Sequence, residues 1–322
     1  MCIDTDECLR ACTGSGTSRL GAQLLRELEA HDDHVEVAYR DGARLVPGLV
    51  LDRRLDGLDS LATAERSSQL GTAVVTGGLG GLGLVTAEAL VDAGVGCVVL
   101  VSRSGKVKYT DQGLEDRLER LRASGAEVVI EQCDMGVESE VEAMLRRVRT
   151  EHGPLRIVVH AAGVLADGLL EKQDAESMRR VFAPKADGAF FLSKHAELDE
   201  IEKCILISSL SSVFGKRSSG NYAAANAYLD ELALIGRTRG IQSLLSLQLP
   251  NVSGIGLMAA KLELTGEHAS TSSISSSEIR LVLMDAIRSD ASLGSTLVMS
   301  LGFVRFIEQF YPQLCSTLQK TE

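Results

Sequence analysis

The sequence predicts an α/β protein built on a doubly wound parallel sheet, and two observations predict it. The first is a set of five short apolar runs at 73–76 (AVVT), 97–102 (CVVLVS), 126–131 (AEVVIE), 155–163 (LRIVVHAAG) and 203–209 (KCILISS). Their Val, Ile and Leu residues are continuous rather than alternating, as strands covered on both faces require. The second is the helix-length text between them, at 81–94, 112–124, 137–152 and 174–196. Alternation of strand and helix means βαβ units. Two more strands are expected at 243–248 and 296–300, and the polar, aperiodic stretch Gly266–Ser277 reads as a loop or lid.

Residues 1–70 read differently. A helical pattern at 18–30 precedes two alternating strands around Asp41-Gly42, a hairpin turn pair. This is too little to bury a core alone, so it should pack on the main domain or belong to something larger. The expected division is a partial structural subdomain at 1–70, a main domain at 71–312 and a tail at 313–322.

The chain carries 33 basic and 44 acidic side chains, for a net charge of −11. That balance argues against non-specific nucleic-acid binding, which needs phosphates neutralised. No run approaches the roughly 18 apolar residues of a membrane span, and the N-terminus lacks a secretory pattern. A cytoplasmic location is expected, with an organelle left open. The seven cysteines include no C-x-x-C pair, and Cys2, Cys8 and Cys12 have no histidine at finger spacing. They read as free thiols, with no metal site.

The sharpest local motif is Thr76-Gly77-Gly78-Leu79-Gly80-Gly81-Leu82-Gly83, directly after the first of those strands and opening a helix. A tight turn alone explains glycines. With a strand before and a helix after, they also let backbone approach a pyrophosphate, whose charge meets free N–H groups. The next strand ends in Ser102-Arg103 rather than in an acid. An acid there would hold the ribose hydroxyls of NAD, whereas arginine suits the 2′-phosphate of NADP. A solvent-facing arginine is the plainer alternative. Asp134 is placed to accept from an adenine amino group, or is only a turn residue.

Four further residues supply the parts of a carbonyl reductase: Lys185, Ser209, Tyr222 and Asn226. Each alone has a bland explanation. Together, Ser209 can hold a carbonyl oxygen while Tyr222 protonates the developing alkoxide. A phenol with a pKa of about 10 is a poor acid at neutral pH. A nearby ammonium is expected to lower that value.

The glycine loop, His160-Ala161-Ala162-Gly163, the thirteen-residue gap from Ser209 to Tyr222, and Tyr222-Ala-Ala-Ala-Asn226 resemble the short-chain dehydrogenase/reductase superfamily. Most of its members carry lysine four residues after the tyrosine. Here Asn226 stands there, and a lysine lies in Ala183-Pro184-Lys185. That exchange resembles the ketoreductase domains of polyketide synthases and animal-type fatty-acid synthases, over roughly residues 35–312.

The resemblance implies a Rossmann-like fold behind a truncated N-terminal structural subdomain, either excised or naturally short. It implies NADPH-dependent reduction of a β-keto acyl thioester, carried by an acyl carrier protein, with other synthase domains as further partners. Lys185, Ser209, Tyr222 and Asn226 become a catalytic tetrad. Met135, Ala161, Ala162, Gly163, Pro250, Asn251 and Val252 join the glycine loop, Ser102, Arg103 and Asp134 around the cofactor. Leu165, Asp167, Phe214 and Met258 fall on the substrate side. Leu165-Ala166-Asp167 keeps part of the marker for D-hydroxy products, and the chain has no tryptophan, which removes the marker for L-hydroxy products. A free-standing reductase of a small or coenzyme-A-linked ketone, and a silent NADPH-binding scaffold, are the alternatives.

Overall fold

The computed structural model describes residues 2–5, 36–40, 43–45, 71–108, 112–196, 201–241, 243–257, 259–260, 273–288 and 295–297. The chain divides into two compact units, one of Met1–Arg53 with Gly302–Glu322 and one of Arg54–Leu301. In the first, β1 (Cys2–Thr5) runs parallel to β2 (Glu36–Arg40), which pairs antiparallel with β3 (Ala43–Leu45). The register Arg40↔Ala43 leaves two residues between these strands, as the Asp41-Gly42 pair predicts. Strand β1 was not anticipated, and the helical pattern at 18–30 lies outside the described residues.

The second unit holds a parallel sheet of seven strands: β4 (Thr72–Thr76), β5 (Cys97–Ser102), β6 (Glu127–Gln132), β7 (Leu155–His160), β8 (Lys203–Ser209), β9 (Leu244–Leu249) and β10 (Ser295–Leu297). The spatial order is β10-β9-β8-β7-β4-β5-β6. The chain therefore travels outward from β4 to β6, then returns to β7 and travels the other way. That reversal opens a crevice beyond the carboxyl ends of β4 and β7, where doubly wound sheets bind ligands.

Both faces of the sheet are covered, which explains the continuous apolar runs. Val75, Val98 and Leu100 face one core, with Leu84 and Leu90 of α1 (Gly81–Ala93), Leu114 and Leu118 of α2 (Leu114–Arg122), and Leu283. Val74, Val99 and Val101 face the other, with Met144 and Leu145 of α3 (Glu138–His152) and Leu229. Successive strand residues alternate between the two cores.

The segment 174–196 is not one helix, as its pattern suggests. Helix α4 (Ala175–Phe182) starts on a capping box between Asp174 and Ser177 and gives way to a π-helical turn, Ala183–Asp187, before α5 (Gly188–Ala196). Pro184 lacks an N–H and cannot continue the α-helical ladder. A short α6 (Ser211–Phe214) and a long α7 (Gly220–Thr238) follow β8. Helix α8 (Ser276–Arg288) begins inside the stretch expected to be aperiodic. Ser275 and Glu278 form a reciprocal cap there: Glu278 N–H donates to the serine hydroxyl and Ser275 N–H to the carboxylate. Residues 266–272 of that stretch lie outside the described residues. Among the described residues, no helix is long and apolar enough to cross a membrane.

Candidate active site

A cavity of about 610 Å³ opens at the carboxyl ends of the strands, and its floor is the glycine loop. Gly77 takes φ +66°, and a Cβ there would meet the Ala161 carbonyl oxygen at 2.8 Å. A Cβ on Gly83 would meet the Gly77 oxygen at 2.2 Å, so α1 starts in contact with the loop that feeds it. The N-cap is Gly80, with no side-chain cap and no acid in the first turn. The N–H groups of the first turn are thus left to a ligand, and the dipole favours an anion. Strand β7 ends at His160, three residues before the apolar run does, and Ala161, Ala162 and Gly163 pass over the sheet to line the cavity.

At the end of β5, Ser102 and the exposed Arg103 line one end of the cavity. Ser102 Oγ accepts from Gly105 N–H at 3.0 Å, which holds this loop. Lys106 and Lys108 line the same end and were not singled out from the sequence, because nothing in their spacing distinguishes them from solvated charges. Met135 and Cys133 also face the cavity. Asp134 does not line it, and its carboxylate accepts from Gly136 N–H at 2.9 Å. Pro250, Asn251 and Val252, after β9, line the opposite side.

Lys185, Ser209 and Tyr222 meet at the cavity wall, brought by the π-helical turn, the end of β8 and the first turn of α7. Lys185 is almost wholly buried; its Nζ donates to the Ile207 carbonyl at 2.9 Å and lies 5.4 Å from the Tyr222 ring centroid. Burial lowers its pKa to about 8, against which the Asp230 carboxylate pulls upward. Asp230 on α7 accepts from Ser212, Ser246 and Gln248, at 2.6, 2.5 and 2.8 Å. Ser209 Oγ accepts from Ser211 N–H at 3.2 Å, leaving its proton to donate.

The expectation that an ammonium lowers the Tyr222 pKa is not met. Burial raises it, outweighing the lowering by a hydrogen bond with Asn226, and the Asp167 charge raises it further. Lys185 gives its short contact to Ile207 rather than to the phenol. Tyr222 therefore holds its proton at neutral pH.

Asn226 lies behind the wall rather than on it. Its Nδ2 donates to the Tyr222 carbonyl at 2.7 Å, while its buried Oδ1 has no donor among the described residues. Leu165 lines the cavity; Asp167 does not, and instead accepts from Ser219 Oγ at 2.9 Å. Asn221 Nδ2 adds a bond to the Ala166 carbonyl at 2.7 Å, so the 165–168 loop is tied to the start of α7. Phe214 sits at the end of α6, off the cavity, and Met258 lies outside the described residues.

A doubly wound sheet whose crevice joins a glycine loop to a serine, a tyrosine and a buried lysine defines a short-chain dehydrogenase/reductase, a class that uses a nicotinamide cofactor. The family model that matches is the KR domain, over residues 71–254, more than half of the chain. The chain is 40% identical over 220 residues to a spectinabilin polyketide synthase protein, NorB, of Streptomyces orinoci, covering 67% of this chain and 10% of that protein. It is 34% identical over 291 residues to the pikromycin polyketide synthase component PikAII of Streptomyces venezuelae, covering 84% and 8%.

Among solved structures, a ketoreductase from the first module of phoslactomycin biosynthesis in Streptomyces sp. HK803 superposes with TM-score 0.72 at 26% identity, over 96% of this chain and 68% of that one. An A-type ketoreductase from a modular polyketide synthase gives TM-score 0.77 at 23% identity, over 98% and 66%, and shares the fold. The chain belongs to the KR family, the ketoreductase domains of polyketide synthases within the short-chain reductase superfamily. It spans about a tenth of the length of the curated relatives it matches.

Proposed function

We propose that the chain reduces a β-keto acyl thioester, presented by an acyl carrier protein, to the β-hydroxy acyl thioester with NADPH. The observation that carries this reading is the meeting of Lys185, Ser209 and Tyr222 on one wall of a cavity whose floor is the glycine loop. The residues present fit the cofactor. A Cβ at Gly77 or Gly83 would fill the cradle, the uncapped first turn of α1 suits a pyrophosphate, and Arg103 with Lys106 and Lys108 suits a 2′-phosphate. When bound, NADPH supplies the hydride.

The chain's own residues do the rest. Ser209 donates its hydroxyl proton to the carbonyl oxygen and so fixes and polarises it. Tyr222, kept protonated by burial, gives its proton to the oxygen as negative charge develops. The Lys185 ammonium, fixed on the Ile207 carbonyl, stands 5.4 Å from the centre of that ring. The catalytic domain runs from residue 71, and neighbouring synthase domains and the carrier protein are its partners in the cytoplasm.

The test is NADPH oxidation by the purified protein with the same β-keto acyl chain on a carrier protein, on coenzyme A and as a simple thioester. Faster turnover on the carrier protein is expected. No oxidation with any of the three would overturn the reading, and a preference for coenzyme A would remove the carrier protein from it.

A further inference from the structure

His160 closes β7 and is completely buried, yet reduction as described makes no use of its imidazole. Both ring nitrogens are engaged. Nδ1 lies 2.7 Å from Thr76 Oγ1, and Nε2 lies 2.8 Å from the Lys185 carbonyl oxygen. A carbonyl only accepts, so Nε2 carries the proton; Nδ1 is then the acceptor and the Thr76 hydroxyl its donor. Thr76 Oγ1 in turn accepts from Ala162 N–H at 3.3 Å. Hydrogen bonds therefore run one way, from Ala162 through Thr76 and His160 to the backbone of Lys185.

The two ends of this chain belong to different parts of the site. Thr76 immediately precedes the glycine loop, and Ala162 follows the carbonyl against which Gly77 packs. At the other end, Lys185 sits in the π-helical turn, where Pro184 offers no N–H and the ordinary helical ladder is interrupted. The fit is close: a Cβ on Gly188, just after that turn, would meet His160 Cε1 at 3.2 Å and Met135 Cβ at 3.0 Å. Burial, reinforced by the Lys185 charge, lowers the imidazole pKa to about 3, so the ring stays neutral and the direction of the chain is preserved at working pH.

We propose that His160 is a positioning residue that ties the backbone of Lys185 to the strand bearing the glycine loop, holding the catalytic ammonium and the cofactor cradle in one register. This rests on Lys185 belonging to the reductase site. A buried imidazole with two fixed partners transmits position, because leaving either partner unmatched in the core costs more than keeping the bond.

The test compares His160→Leu, His160→Gln and Thr76→Val, each followed by turnover and by 15N NMR of the Lys185 ammonium, which needs no substrate. His160→Leu is expected to lower kcat by about tenfold or more, the cost of stranding buried partners, with KM for the thioester changed less than about twofold. The Lys185 titration should move from about 8 toward its ordinary 10.5 as the turn loosens and water enters. His160→Gln keeps a donor and an acceptor on one planar group and should regain most of the loss. Thr76→Val should resemble His160→Leu, and the double variant should be no worse than the poorer single one, because they break one chain.

If His160→Leu does not fold, Thr76→Val, which retains the ring, decides. Unchanged kcat and an unchanged Lys185 titration in a folded variant would overturn the proposal. A shifted Lys185 titration in a protein that reduces no thioester would instead support the positioning role while removing the proposed reaction.

Discussion

The floor of the cavity and the wall that carries Lys185, Ser209 and Tyr222 are made of different material. The floor is backbone: Gly77, Gly81 and Gly83 approach carbonyl and amide groups so closely that a single carbon would not fit, and no side chain caps α1. The wall is side chain: Lys185, Ser209 and Tyr222 arrive from a π-helical turn, a strand end and a helix start, with Lys185 bonded to the Ile207 carbonyl, Ser209 to the Ser211 N–H, and the Tyr222 N–H to the Asn221 side chain. A floor of this kind fails when something is added. A wall of this kind fails when something is taken away.

Tyr222→Phe tests that contrast with the largest expected effect. Removing one oxygen should cut turnover by about 10²–10⁴ and leave NADPH affinity nearly unchanged. Gly83→Ala, which adds one carbon where the Gly77 oxygen would lie at 2.2 Å, should instead abolish measurable NADPH binding in a titration of cofactor fluorescence. Should Gly83→Ala bind NADPH normally, the floor would be more yielding than its contacts indicate.

Arg103→Ala comes next. A charge-assisted contact to phosphate is worth about 1.5–3 kcal/mol, so the preference for NADPH over NADH should fall by tens-fold. Lys106 and Lys108 line the same end, and Lys106→Ala added to Arg103→Ala should remove what remains. Equal affinity of the unmutated protein for both cofactors would refute this assignment.

The wall also predicts a divided response to pH. Lys185 is an ammonium below about 8 and loses its proton as the pH rises through that value. Turnover should fall by up to tenfold per pH unit above it. Stability should move the other way: between about 8 and 10.5 the unfolded chain binds the proton that the folded chain has released, so Lys185 adds to the stability gained with rising pH. Asp230→Asn, which removes the carboxylate that pulls this pKa upward, should shift the fall in turnover to lower pH. An alkaline limb that stays put in that variant would show that another group sets it.

The smallest effect expected is at the mouth. Lys216 lines the cavity next to Arg217, and the chain as a whole is acidic. Reversing both charges should raise the apparent KM for a carrier-bound substrate several-fold at low salt, and much less for a small free ketone. Equal losses on both substrates would mean that the loop before α7 had been disturbed.

How much of this could be read from the sequence follows the same division. Strands β4 to β9 and the glycine floor are legible because their causes are local: continuous apolar runs and glycines in series. The break at Pro184 was hidden inside a segment whose apolar spacing still reads as one helix. Asp230 was missed because its partners, Ser212, Ser246 and Gln248, come from α6 and β9 rather than from its own neighbourhood. The acidity of Tyr222 was misjudged for a related reason. Sequence supplies the nearby charge, whereas desolvation, the larger influence, depends on the whole fold. Strand β1 is a four-residue segment with a threonine and two polar neighbours, and only its partner β2 makes it a strand.

Cys133 lines the same cavity, and a thiol near an activated acyl group is a hazard. Were the proposed thioester substrate to enter, a thiolate there would be a competing acyl acceptor. Burial first, and then the carboxylates of Glu140 and Asp134, push the Cys133 thiol up to about 12. At neutral pH the thiol keeps its proton and lacks the charge that attack requires. The cavity can thus be lined with sulfur and still leave a thioester intact.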